Sequence, residues 1–259
     1  MLKAFGLSLR IDVAPHAVSV LRVSRWRADA VTLLARQSIA PSGEHPFDAI
    51  GNALRAVLGE LEVGGWAAQF TLSDELTRMW RVTPPPGAAR MADLEGAAGL
   101  RFQSLYGEPP SAWRVAADWD AAQPFFAAAV PQRLLDVLQA VAQDCRLAIV
   151  GIAPRIVSAW NRCRRGVKAG AWFGLVHEQL LTLAATDTDG KRIRAIRPLP
   201  IPPDADQAWL TRTLQREALL LDMAPPALLQ LHGAAPAGWI QPLASASHIA
   251  CQPLAGSAV

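Results

Sequence analysis

One order of elements can be read twice along this chain, and that repetition limits the fold more than any motif does. Residues 4–12, 17–24 and 30–38 are apolar, β-branched runs separated by the turn signals Ala14-Pro15-His16 and Arg27-Ala28-Asp29. The next segment, PFDAIGNALRAVLGELE, places Phe47, Ile50, Leu54, Val57, Leu58 and Leu61 at helical spacing, with Asp48 in the first turn where the helix dipole favours an acid. Gly64-Gly65 stops the helix and WAAQFTLS reads as a fourth strand. The last third repeats the series. AWFGLVH, QLLTLAAT and RIRAIRPLP are three strands with Asp189-Gly190 at the second turn, DADQAWLTRTLQREALLL is a helix, and PALLQLHG is a strand. A βββαβ unit therefore occurs twice, without obvious sequence identity between the copies.

The first copy is interrupted. Pro84-Pro85-Pro86-Gly87 lacks three successive backbone donors, so it reads as a rigid connector. After it come a helix over MADLEGAAGLRFQSLYG, paired strands over AWRVAADWD and PFFAAAVP, and a helix over PQRLLDVLQAVAQDC opened by Pro131. RLAIVGIAP then reads as a buried strand, and PRIVSAWNRCRRG as a helix with Gly166 just past its end. The tail SASHIACQPLAGSAV, rich in small residues, reads as loosely held.

Composition narrows the class. At 51% hydrophobic and 18% charged residues the chain can build a sizeable core, and a net charge of +3 matters only if the cations cluster. Arg10 and Asp12 interrupt the first apolar run before a secretory h-region forms, and no run approaches the roughly 18 apolar residues that span a bilayer, so a soluble chain is expected. Cys145, Cys163 and Cys251 are odd in number and lack CxxC spacing, which speaks for a reducing compartment and against a zinc site. No HExxH, GxSxG, Walker-type or GxGxxG motif is present. His177 and Glu178 are adjacent, so a regular strand sends them to opposite faces and they cannot share one ion. The nine tryptophans are spread along the chain and suit packing rather than a stacking platform; Trp26, among Arg25 and Arg27, is the candidate for an exposed contact.

The duplicated plan with its insertion resembles the actin/hexokinase/Hsp70 superfamily. Within it, GLSLRIDVAPHAVSVLRVSRW and FFAAAVPQRLLDVLQAVAQDCRLAIVGIAPRIVSAWNR are similar to the branch of type IV pilus assembly protein PilM, its MSHA-biogenesis relative and the cytoplasmic domain of the type II secretion protein GspL. The resemblance implies an α/β, two-lobed actin-like (ribonuclease H-like) fold with duplicated βββαβ units and an inserted αββα subdomain. Residues 1–74 and 144–166 would form the first lobe, 75–143 the inserted subdomain and 167–259 the second lobe.

The nucleotide-binding members of that superfamily use three sites. At the first, Asp12 is kept, but Ala14 and Pro15 replace the glycine and hydroxyl, and Ser19 stands where PilM-like chains carry lysine. At the second, His177 and Glu178 replace the acid and glycine, with no glycine before Thr182. At the third, only Gly233 and Gly238 remain of a glycine-rich turn. The expectation is a pseudo-ATPase with no catalytic residue, metal or cofactor; the alternative is a diverged binder of ATP with Mg through Asp12, Ser19, Thr182 and Gly233.

The resemblance also implies a cytoplasmic adaptor in pilus or secretion-system assembly, at the inner face of the inner membrane, that binds a cytoplasmic peptide of a bitopic inner-membrane protein. A homodimer stays open. The implied peptide groove lies between the first lobe and its insert, with Met79, Trp80, Val82, Leu94, Phe102, Phe125, Phe126 and Leu134 as candidate contacts. Arg162, Arg164, Arg165 and Lys168 concentrate positive charge around a helix end, which supports a third reading as an anionic-membrane or nucleic-acid binder, with nucleic acid the less favoured partner.

Overall fold

The computed structural model describes residues 6–24, 31–41, 43–240 and 249–254, and the chain divides into two compact units, Met1–Arg155 and Ile156–Val259. In unit 1, strands β1 (Leu7–Ala14), β2 (Ala17–Ser24) and β3 (Val31–Ser38) form an antiparallel meander. Helix α1 (Pro46–Gly59) follows, then β4 (Ala67–Leu72) beside β1 in parallel. The insert contains β5 (Arg78–Val82), α2 (Met91–Tyr106), β6 (Trp113–Ala117) and β7 (Phe125–Pro131). Helix α3 (Gln132–Asp144) and β8 (Ala148–Pro154) return to the main sheet, whose order is β3-β2-β1-β4-β8.

Helix α4 (Arg155–Cys163) leads into unit 2. There β9 (Ala171–His177), β10 (Leu180–Thr186), β11 (Ile193–Pro200), helix α5 (Gln207–Leu220), β12 (Leu228–Gly233) and β13 (Ala250–Pro253) build a sheet of order β11-β10-β9-β12-β13. The two five-stranded sheets match strand for strand, each an antiparallel meander continued by two parallel strands. The expected duplication is therefore present, and it extends one strand further than the sequence reading had it.

Local chemistry explains the helices. His45 caps α1, its Nδ1 accepting from the Phe47 amide at 3.2 Å, and Pro46 occupies the first turn, where its missing donor costs nothing. Ile50, Leu54, Val57 and Leu58 then fall on one face and bury against Leu9, Ile11, Phe70 and Leu72. Each such side chain contributes roughly 1.5–3 kcal/mol by burial. Helix α3 covers the same core with Leu134, Leu138 and Val141. It crosses α1 closely at Gly51, where a β-carbon would lie 2.8 Å from Val137 Cγ1. In unit 2, Asp206 caps α5 by accepting from the Trp209 amide at 2.6 Å, and Leu210, Leu214 and Ala218 pack on Leu181, Leu229 and Leu231.

Three expectations need correction. RLAIVGIAP is an edge strand and not a buried one: Ala148 is exposed, Ile149 is 36% exposed and Val150 63%. The register slips so that Ala68 faces Ile149 and Gln69 faces Gly151, which leaves Val150 bulged outward, a common way to blunt an open edge. The tail is not wholly loose either, because β13 adds in parallel to β12 and Leu254 is 5% exposed against Gly166. Its small residues hid a strand whose stability comes from the neighbouring ladder. Helix α3, which the sequence reading assigned to the insert, packs in the main core of unit 1. Trp26 and the remainder of the tail lie outside the described residues.

Cys251, on β13, has its thiol pushed up to about 11 by burial. A thiol that stays neutral when folded but ionises near pH 9 when unfolded stabilises the fold fully below pH 9 and loses that contribution as pH rises toward 11. The unit 2 unfolding midpoint is expected to fall across that window. Cys251→Ala should flatten the decline; an unchanged slope in the variant would remove Cys251 from the account.

Candidate functional site

Strand β1 alternates. Leu9, Ile11 and Val13 enter the α1 core, so Arg10 and Asp12 point to the opposite face of the sheet. Asp12 lies opposite Ser19 on β2 and Thr71 on β4. Arg155 Nη1 donates to Asp12 Oδ2 at 3.2 Å, and Arg10 Nε stands 3.2 Å from Oδ1 as an ion pair, while Oδ1 itself is buried with no hydrogen-bond donor among the described residues. The side chains of Asp12 and Arg155 are only 10% and 11% exposed. Arg155 Nε and Nη2 are buried without a hydrogen-bond acceptor among the described residues. The bend beyond Asp12 is the exposed pair Pro15-His16, closed by the Ala14–Ala17 pairing and by the Ile39 amide donating to the His16 carbonyl at 2.7 Å. Proline there removes an amide that an anion nest would need.

Sequence reasoning missed Arg155. It lies 143 positions from Asp12 and opens α4, where the helix dipole disfavours a cation. An arginine in a first helical turn was the available signal that some anion holds it.

In unit 2 the corresponding hairpin turns at Glu178-Gln179, with Glu178 at φ +53°. Thr182, 1% exposed, faces Leu175 on β9. Gly233 ends β12 at φ +96°, pressed against Val176 so closely that a β-carbon would sit 2.0 Å from the Val176 carbonyl oxygen. Beside it, Cys163 Sγ lies 3.7 Å from His232 Nδ1, and His232 stacks on Phe173. Burial raises the Cys163 thiol, with Arg162 pulling weakly the other way, so this pair is a packed thiol and not an activated nucleophile. Among the described residues no three His, Cys, Asp or Glu side chains converge as metal ligands. The four residues of the nucleotide alternative thus fall two to each unit, Asp12 and Ser19 in the first, Thr182 and Gly233 in the second.

The insert sheet, order β5-β7-β6, packs one face on α2. Trp80, Val82, Leu94, Phe102 and Phe125 fill that core, each at most 5% exposed, and Leu134 is fully buried in the main core. Trp80 and Phe102 rings lie 5.1 Å apart, and the Arg78 guanidinium sits 5.5 Å from both the Tyr106 and Trp113 rings. Six of the eight candidate contacts are therefore packing residues: Trp80, Val82 and Phe125 on the strand face turned toward α2, Leu94 and Phe102 on α2 itself, and Leu134 in the main core. Met79 and Phe126 differ. Register pairs Met79 with Ala128 and Arg81 with Phe126, which puts all four on the face away from α2, and both Met79 and Phe126 are half-buried. Val130 carries the same face into the main core.

Arg162, Arg164, Arg165 and Lys168 are all exposed. Their segment is fixed by its backbone: Gln230 accepts from the Lys168 amide at 2.7 Å and donates to the Gly166 carbonyl at 3.2 Å.

No protein-family model and no curated protein matches the chain in sequence. Solved structures do match in shape. The cytoplasmic domain of EpsL, an inner membrane component of the type II secretion system of Vibrio cholerae, aligns over 95% of this chain and 89% of its own, with TM-score 0.63 and 12% identity. A PilM–PilN type IV pilus biogenesis complex aligns over 90% and 83%, with TM-score 0.64 and 14% identity. A Bacteroides thetaiotaomicron protein of unknown function with an actin-like ATPase fold aligns over 91% and 85%, with TM-score 0.58 and 10% identity.

Proposed function

We propose that this chain, which has the actin-like ATPase fold, is a non-catalytic cytoplasmic adaptor of a type IV pilus or type II secretion-like machine. It works by holding a short cytoplasmic peptide of an inner-membrane partner. The observation that carries the reading is the engagement of Asp12 by Arg155 and Arg10. A carboxylate that is to hold a metal–nucleotide must present uncompensated charge to the cation or its water. Here in-chain guanidiniums already compensate the charge, and the adjoining bend has proline where an anion nest needs amides. The fold keeps its sheet without keeping its phosphate chemistry.

The peptide surface is the outer face of the insert sheet, around Met79, Phe126 and Ala128, with β5 as an available edge strand. An extended peptide needs a backbone ladder and alternate apolar pockets, which an edge strand beside an apolar face supplies. The likeness to a PilM–PilN complex supports this choice of partner class.

A photo-crosslinking amino acid placed at Phe126 in the native host tests the reading. The expected adduct is a single-span membrane protein joined through its cytoplasmic segment. A synthetic peptide of that segment should bind the purified chain, and Met79→Glu should weaken it at least about tenfold, the cost of a charge in an apolar pocket. Adducts only with soluble enzymes, or none, would defeat the proposal.

A further inference from the structure

We infer that one end of unit 2 is a docking surface for an anionic lipid bilayer, separate from the peptide surface on the insert. Several elements meet at this end. Strands β9 and β12 begin there, since Leu228 pairs with Ala171, while β10 ends and β11 begins there, since Thr186 pairs with Ile193. The β10–β11 turn folds over the segment before β9. The Gly170 amide donates to the Thr188 carbonyl at 2.9 Å, and Gly190 lies so close to the Lys168 carbonyl that a β-carbon would come within 2.5 Å of its oxygen. This packing gathers Arg162, Arg164, Arg165, Lys168, Arg192 and Arg194, all exposed, onto one rim. The whole chain is only +3, so these six cations exceed its entire net charge.

Acidic groups at the same end offset part of this charge but not all of it: Asp187, whose Oδ1 accepts from the Lys191 and Arg192 amides, Asp189, whose Oδ1 accepts from the Lys191 amide, and Asp222 are outnumbered by the six cations. Among the described residues Arg162, Arg164, Arg165, Arg192 and Arg194 make no ion pair.

Apolar side chains lie within the same end. Helix α5 finishes there, and Leu219 and Leu220 are 81% and 67% exposed, the first being the most exposed large apolar residue described. The loop that follows, with Met223, Pro225 and Pro226, lines a cavity of about 470 Å³ together with Trp172 and Arg194. Bare leucines and a run of cations at the same end of the sheet match a bilayer surface, whose headgroups are anionic and whose acyl region lies just beneath. The exposed leucines favour lipid over an acidic protein. An acidic protein surface would meet the cations but leave Leu219 and Leu220 bare, whereas a bilayer accepts both.

Flotation of the full chain with vesicles of about 30% phosphatidylglycerol in phosphatidylcholine, against phosphatidylcholine alone, tests the surface. Binding to the anionic vesicles is expected, weakening as salt is raised. Arg164→Ala with Arg165→Ala should lower it about 30-fold, since each cation contributes about a fivefold factor near such a surface. Leu219→Ser with Leu220→Ser, both at exposed positions, should lower it about tenfold or more. No vesicle binding, binding unchanged in both variants, or salt-sensitive capture of polyglutamate in place of vesicles would overturn the inference. Loss of peptide binding in Met79→Glu with vesicle binding intact separates the two surfaces.

Discussion

Gly233→Ala is expected to destabilise unit 2 by about 4 kcal/mol or more, a large part of the roughly 5–15 kcal/mol that keeps a domain folded. Two costs combine. The residue sits at φ +96°, a conformation in which a side chain is strained, and its added carbon would meet the Val176 carbonyl oxygen at 2.0 Å. That oxygen belongs to the backbone of β9, the central strand of the sheet, so no side-chain rotation relieves the clash. Hydrogen exchange resolves the effect by unit: protection should collapse in β9 and β12 and persist in β1 and β4. Near-native protection throughout would mean the turn can relax, contrary to the packing described. The prediction also separates two roles for this glycine. It is required by the fold here, whether or not a nucleotide is ever bound beside it.

Asp12→Ala is the second large effect. It leaves Arg155, 11% exposed, without its counter-charge, and Arg10 without a partner carboxylate at this position. Breaking a buried pair from one side costs about 3–5 kcal/mol, because the surviving charge stays desolvated. Unit 1 should lose hydrogen-exchange protection by that amount in β1 and β4. Replacing the pair together, as Asp12→Leu with Arg155→Met, should recover more than half of the loss, since no uncompensated charge remains. A single-variant cost below about 1 kcal/mol would reduce the contact to the standing of a surface ion pair.

The parts of the fold legible in sequence were those written as periodicity. The alternation in β1 and β2, the helical spacing in α1 and α5, and the turn signals between them specified two βββαβ units. What escaped were features decided by neighbours. AIVGIAP is as apolar as an interior strand, and only its place at the sheet edge exposes it. ACQP has little strand propensity of its own and is ordered by pairing with β12. In the insert, the large apolar residues were legible as a cluster but not as a core. Which face of a strand meets a helix depends on where α2 lies, and α2 claimed Trp80, Val82 and Phe125, leaving Met79 and Phe126 outside. Arg155 was invisible for a different reason: its partner is distant in sequence, and long-range ion pairs leave no local pattern.

The comparison of site and scaffold bears on how such a protein can work. The two duplicated sheets close their first hairpins with different bend chemistry. The β1–β2 hairpin closes with proline and histidine at its tip, and the equivalent β9–β10 hairpin closes with glutamate in a left-handed conformation. Either turn serves the meander. A carboxylate on the face of such a sheet needs its charge compensated, and the arginines beside Asp12 do that.

The most direct measurement is calorimetric titration of the full chain with Mg-ATP. A carboxylate whose charge is compensated by arginine predicts no saturable heat up to about 1 mM nucleotide, a limit that corresponds to binding weaker than about 4 kcal/mol. A saturable isotherm with micromolar affinity, lost on removal of magnesium, would show that Asp12 still serves a metal–nucleotide and would contradict the account at its base.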